Sequence, residues 1–405
     1  MKRKLTGPIL ALLMLCFGTF LSYGVHFNCF GTEAETMMAC FGIDETKQGM
    51  ILTVQSIGGI IVTILLGLYG ERMNKIHGLA LGLGLMGVAS VLIGTIPLYC
   101  DVNTGYGLML AFSLLAGLGS ITVDCLMNGV ISDVYPDKKS TFLPYVHASY
   151  GVGAVLAPSF VSLLASPDAP ASFAMPYLVL GIVAVIITAV LFLNARRVKP
   201  QTPYRDMTAL KQRAMGNPAE VFKDGRAWLI LLSCFLYLCF QTGISAWMPQ
   251  YAMRELRFSY SDAALLSTLY FLGALVMRLI SPFIYKKLSV QTFFVVTVSA
   301  SAALFVVFLL TSGSLWMARG LILAIGFLQG ASVPSLVILC CDLFPERSAS
   351  ASSVIVLSVS LAALIAPSVM GAVINASGYL TALILILVCL ILSVPVLLLA
   401  TRHRK

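Results

Sequence analysis

Charge is what this 405-residue chain has least of: Asp, Glu, Lys and Arg make up 11% of it, against 59% hydrophobic residues. A soluble globular protein carries roughly a quarter charged residues, so a water-soluble fold of any class is excluded. Phosphate loops are missing too. Gly82-Leu-Gly84-Leu-Met-Gly87 has dinucleotide-loop spacing, but it lies inside an apolar run with no strand before it. No Walker, kinase or hydrolase constellation is present, which argues against an enzyme and leaves an ion or solute gradient as the energy source. The ten cysteines form no CxxC pair and hold no metal spacing with the four histidines, so neither a metal nor a cofactor is expected. Cys29, Cys40 and Cys100 fall near one face, where pairing is open but not indicated.

What the chain does have is apolar runs of spanning length, about 20 residues each. Twelve are expected, near 7–30, 48–70, 77–99, 105–131, 142–166, 173–194, 227–250, 262–284, 291–312, 316–341, 349–374 and 378–400. This predicts an all-α, multi-pass membrane protein. The first run follows Met-Lys-Arg-Lys, as a secretory signal would, but no small-residue cleavage site follows, so it reads as the first span. The formal charge of +9 reports orientation rather than nucleic-acid binding. With the N-terminus inside, 21 basic residues fall on the inner side and Lys47, Arg254, Arg257 and Arg319 on the outer, placing both termini in the cytoplasm.

The chain also repeats. Leu52-Thr53, Gly59 and Gly67 match Leu266-Ser267, Gly273 and Ser281 at an offset of 214, and Asp133, Pro136 and Pro158 match Asp342, Pro345 and Pro367 at 209. Two six-helix bundles, 1–195 and 227–405, are therefore expected. Between them, 196–226 carries basic residues and three prolines and reads as a cytoplasmic linker.

Chemistry concentrates between Gly117 and Pro158. Apolar runs flank a polar knot at Asp133–Thr141, the pattern of an antiparallel helical hairpin, and Asp124 reads as the only carboxylate well inside an apolar segment. A hairpin turning near Tyr135-Pro136 puts Asp124 and His147 at similar depth, with Asn128 one turn from Asp124 on the same face. An ionised acid in the bilayer costs several kcal/mol, so such residues usually face a cavity or a partner. Asp124 and His147 are the candidates for proton coupling, with helix packing as the alternative role. Tyr237 and Gln241, one turn apart, suit a polar neutral solute. Gln329, Ser332 and Ser335 surround Pro334 in a similar patch, where helix packing is an equal alternative. Arg278 is as compatible with snorkelling to the interface as with contact to a solute or gate.

Two motifs carry a family resemblance. Gly67-Leu-Tyr-Gly-Glu71-Arg72-Met-Asn-Lys75 resembles the GxxxDRxGR loop of the major facilitator superfamily, whose fold is two parallel six-helix repeats with the solute site near the midplane. The resemblance implies that Gly67, Glu71, Arg72 and Lys75 form a conformational gate. Asp124, Asn128, His147, Gly151, Gly153 and Pro158 resemble the fucose–proton symporters and related sugar porters. Tyr237 to Gln241 and Trp247 to Tyr251 resemble that family's seventh-helix motifs, with Gln241 where an acid is common. The first-helix acid of those porters is missing from the sequence pattern, its region being occupied by Tyr23, His26 and Asn28, which become solute-binding candidates. The resemblance implies uptake of a sugar-like solute with protons or sodium by alternating access. The partners expected are a small molecule, the coupling ion and the lipid bilayer, with no nucleic acid; a bacterial inner membrane and a monomer fit. Proton-driven export of amphipathic compounds is the rival, favoured by seventeen Met and twenty-two Phe, and a non-transporting receptor or scaffold is a third reading.

Overall fold

The computed structural model describes residues 7–69, 73–135, 139–198, 221–311, 313–344 and 348–402. Among them, twelve spans are long and apolar enough to cross a membrane, and the one non-helical pairing is an isolated bridge between Ser166 and Ala169. The protein is a multi-pass membrane protein. Its contacts divide into two units, Met1–Arg205 and Asp206–Lys405.

The N-terminal unit holds α1 (Gly7–Phe41), α2 (Glu45–Tyr69), α3 (Lys75–Thr95), α4 (Val102–Val134), α5 (Lys139–Leu164) and α6 (Ala174–Ala195). Here α1 packs on α5, α2 on α4, and α3 between α4 and α6. The α1–α5 crossing is tight because it is built on glycine. A Cβ on Gly24 would run into the Tyr150 carbonyl, and one on Gly153 into the Leu21 carbonyl, so both backbones approach to a distance only glycine permits.

One expectation is corrected at α1, which runs to Phe41 rather than ending near residue 30. The reason is packing at its far end, where Phe30, Met37, Met38 and Phe41 join Ile51, Ile93 and Met109 in one apolar cluster. The polar composition of 31–36 concealed it. In consequence Glu33 lies inside the first span and is 0% exposed, so Asp124 is not the only acid within an apolar helix, and the first helix does carry one.

The C-terminal unit holds α7 (Gly225–Arg254), α8 (Tyr260–Ile284), α9 (Val290–Thr311), α10 (Leu315–Gln329), α11 (Ser332–Leu343), α12 (Ser348–Ser377) and α13 (Tyr379–Thr401). The tenth span is therefore discontinuous, broken at Gly330-Ala331. Pro334 explains the position, because it has no N–H to return to the Gly330 carbonyl. Around it α7 packs on α12 and α13, and α8 on α10.

Side-chain caps start several helices. Asn74 accepts from Ile76 N and His77 N at 3.0 and 3.2 Å to begin α3, so the residue that replaces glycine in the loop motif is a helix cap. Asp101 begins α4 by accepting from Thr104 N, and Asp224 begins α7 by accepting from Arg226 N, each at 2.8 Å.

Candidate functional site

The Asp124 region is assembled from α4, α5 and α1. Helix α4 ends at Val134 and α5 begins at Lys139, which brackets the turn of the hairpin. Positions 128 and 147 are nearly symmetric about it, and His147 Nε2 meets Asn128 Oδ1 at 2.9 Å. The partner that the hairpin gives His147 is therefore Asn128, one turn from Asp124. Asn128 also donates from Nδ2 to the Asp124 backbone carbonyl at 3.3 Å, so a single amide links the acid's helix to the imidazole. Asp124 and His147 are both half-buried.

The first helix supplies a wall. Phe20 meets the His147 ring edge-on at 5.1 Å between centroids and 88°, and Tyr23 lies 5.1 Å from Tyr150. Asn28 Nδ2 donates to the Tyr150 hydroxyl at 3.2 Å and to the Gly24 carbonyl at 2.8 Å. The Asp124 carboxylate is within electrostatic reach of Tyr23 and Cys125. Of the first-helix candidates, Tyr23 and Asn28 thus join the same assembly as His147. His26 lines a partly open pocket that neither Asp124, Asn128 nor His147 borders.

Phe20 and Tyr150 were not among the candidates. Their signal was present as helical spacing, Phe20, Tyr23 and Phe27 on one helix and His147 and Tyr150 on another, a pattern that also describes ordinary core packing.

In the C-terminal unit the polar residues gather at the helix break. Tyr237 is fully buried and donates its hydroxyl to the Gln329 carbonyl at 3.0 Å. Tyr270 donates to Gln329 Oε1 at 3.0 Å, and Gln329 Nε2 donates to Ser301 Oγ at 2.9 Å. Arg278 Nε donates to the Gly330 carbonyl at 3.3 Å, and the Tyr285 hydroxyl to the Ala331 carbonyl at 3.3 Å. The successive carbonyls of Gln329, Gly330 and Ala331 are each met by a side-chain donor, from Tyr237 of α7, Arg278 of α8 and Tyr285 just past the end of α8, and that of Ala331 also accepts from Ser335 N within α11. Tyr237 and Gln329 are committed to that network, while Gln241 is half-buried one turn along α7.

Of the loop motif, Glu71 and Arg72 lie outside the described residues. Gly67 falls in the last turns of α2, and Lys75 opens α3 with its aliphatic stem over Gly129 of α4, where a Cβ would be 2.7 Å from Lys75 Cδ. Among the described residues no group of three or more His, Cys, Asp or Glu is placed to hold a metal.

The family model "Major Facilitator Superfamily" matches residues 15–367 and again 253–405. The MFS-type transporter YfkL of Bacillus subtilis, itself uncharacterized, is 22% identical over 332 residues, 82% of this chain and 81% of its own. Among solved structures, a bacterial homolog of the human lysosomal transporter Spinster, in an inward-facing and occupied conformation, aligns with TM-score 0.76 at 15% identity over 97% of both chains. A D-xylose–proton symporter aligns with TM-score 0.77 at 13% identity over 96% of this chain and 97% of its own. Likenesses at that identity establish the fold. The family model, covering both repeats and most of the chain, establishes more: this protein belongs to the Major Facilitator Superfamily and is a membrane transporter, not an enzyme.

Proposed function

We propose that the protein takes up a small polar solute, sugar-like in its hydroxyl and amide recognition, together with protons across a bacterial inner membrane with both termini inside. The observation that carries this reading is the His147–Asn128 bond at 2.9 Å, one turn from Asp124. Asn128 holds the imidazole through its Oδ1 and the backbone carbonyl of Asp124 through its Nδ2, so the imidazole is fixed one turn from the acid on neighbouring helices. Asp124 is the coupling group. Taking up a proton neutralises it, which lowers the cost of carrying the loaded site through the closed state of the cycle. His147, held by Asn128 and the edge of Phe20, is the second titratable member.

Tyr23, Asn28 and Asn128 are assigned to the solute, and Gln241 of α7 is a separate solute-binding candidate. Tyr237 and Gln329 support it by holding the break in the tenth span. Gly67, Glu71, Arg72 and Lys75 are assigned to the gate, an acid and flanking cations locking helix ends in one conformation. The exposed ring of Phe27 and the half-buried Tyr150, either side of Tyr23, favour a second reading, transport of an amphipathic molecule that lays an apolar face on them.

Uptake of labelled sugars and nucleosides into vesicles, with and without an imposed proton gradient, separates the two. Accumulation driven by the gradient supports the first reading. Solute movement only from the inside outward, or competition by amphipathic compounds alone, supports the second.

A further inference from the structure

The acid the sequence concealed defines a second polar region in the N-terminal unit. Glu33 is 0% exposed, and neither of its carboxylate oxygens has a partner in hydrogen-bond geometry. The Tyr177 hydroxyl of α6 interacts with it. Tyr177 also lines a partly open pocket of about 30 Å³, together with His26, Gln55, Ser90, Ser113 and Ser120. That volume accommodates about two waters, each needing roughly 10–15 Å³ and two or more polar partners. His26 uses Nδ1 on the Ser22 carbonyl at 2.9 Å, and its other ring nitrogen, Nε2, is buried at the cavity without a partner.

The geometry repeats along α1. His26 and Glu33 are seven residues apart, so they share one face and stand about 10 Å apart along the axis. Tyr177 stands at both ends of that interval, within electrostatic reach of the acid and on the lining of the pocket. Two buried groups that can each exchange a proton are therefore joined by a hydroxyl and a polar space of water size. The titratable groups in range of Glu33 are Cys29 on its own helix and Tyr177 from α6.

We propose that Glu33, Tyr177 and His26 form a second proton site, lying within the N-terminal unit and distinct from the Asp124 cluster. In its loaded form the proton is on the Glu33 carboxyl. It leaves through Tyr177, whose oxygen accepts the Glu33 proton as its own proton passes to cavity water and from there to His26 Nε2. Glu33 ends as carboxylate, Tyr177 is regenerated, and His26 passes the proton on to bulk water, so that the net change is loss of one proton from the site. The site rests on residues the proton-coupled reading does not use, and it stands or falls without solute.

The test is infrared difference spectroscopy of the full chain in nanodiscs, between acidic and alkaline buffer. The parent protein should show two protonated-carboxyl components. Asp124→Asn should remove one and Glu33→Gln the other. Tyr177→Phe keeps the fold's aromatic contact and removes the donor, so the Glu33 component should move to higher frequency, and His26→Asn should slow its loss on alkalinisation at least tenfold. A Glu33→Gln spectrum identical to the parent's overturns the proposal. So does a Glu33 component that neither Tyr177→Phe nor His26→Asn alters, since the acid would then be unconnected to the cavity. Loss of the Asp124 component with retention of Glu33's leaves this site standing whether or not Asp124 couples transport.

Discussion

The break in the tenth span and the far half of α1 treat buried polar groups in opposite ways. At the break in the tenth span, Gln329 spends both ends of its amide on Tyr270 and Ser301, and the carbonyls of Gln329, Gly330 and Ala331 are met by Tyr237, Arg278 and Tyr285. In the N-terminal unit the buried polar atoms include Glu33 and His26 Nε2, which have no partner, and His147 pairs with a neutral amide. A satisfied network rigidifies, whereas an unsatisfied ionisable group changes its preferred surroundings with its protonation state. The contrast sets a braced helix break in the C-terminal unit beside unpartnered ionisable groups in the N-terminal unit, although both repeats follow one six-helix pattern.

The contrast breaks most visibly at Gln329. Gln329→Leu fills similar volume but leaves the Tyr270 hydroxyl and Ser301 without their partner, at a cost of about 1–3 kcal/mol for each buried group stranded. A clear drop in melting temperature in detergent is expected. Unchanged melting would mean the network is not what holds the break.

The next effect in size is functional. His147→Gln preserves a hydrogen bond to Asn128 but cannot carry charge, so uptake should persist with a shifted pH profile. An identical profile would confine His147 to packing against Phe20.

Smaller effects are expected at the helix starts. Asp262→Asn loses the charge partner of Arg319, a 2.6 Å pair joining the starts of α8 and α10, and should cost roughly 1 kcal/mol, less in high salt. The least is at Asp224. The Arg226 side chain beside it, with the α7 amide, holds the Asp224 carboxyl below the usual carboxylate range. Its stabilisation is therefore complete at neutral pH and is lost as pH falls through that lowered value. Asp224→Ala should cost about 0.5–1 kcal/mol near neutrality and nothing in strong acid. Melting curves across the acid range measure both.

Much of this was legible in the sequence, for definite reasons. Spanning helices announce themselves by apolar length, and all twelve are present. The repeat and the loop motif pointed to the superfamily because glycine, proline and acid positions recur at fixed offsets. Asp124 stood out because an acid between apolar residues is conspicuous. Glu33 did not, because Gly31, Thr32, Glu35 and Thr36 surround it and make a buried helix read as a loop. The hidden information was the apolar far end of α1, from Met37 to Phe41, which draws the helix onward. Tyr237 and Gln329 were visible as polar residues within spans, but their engagement by Tyr270, Ser301 and one another depends on which helices meet. Neither composition nor spacing specifies that.

The central claim is that the titratable cluster of the N-terminal unit couples a gradient to solute movement, and Asp124→Asn tests it most directly. The substitution keeps shape and hydrogen bonding but can neither bind nor release a proton. In vesicles with an imposed proton gradient and the same vesicles preloaded for exchange, accumulation should fall to the equilibrium level while exchange of labelled for unlabelled solute continues. Accumulation equal to that of the parent protein would contradict the account, and loss of exchange along with accumulation would make Asp124 a structural residue instead.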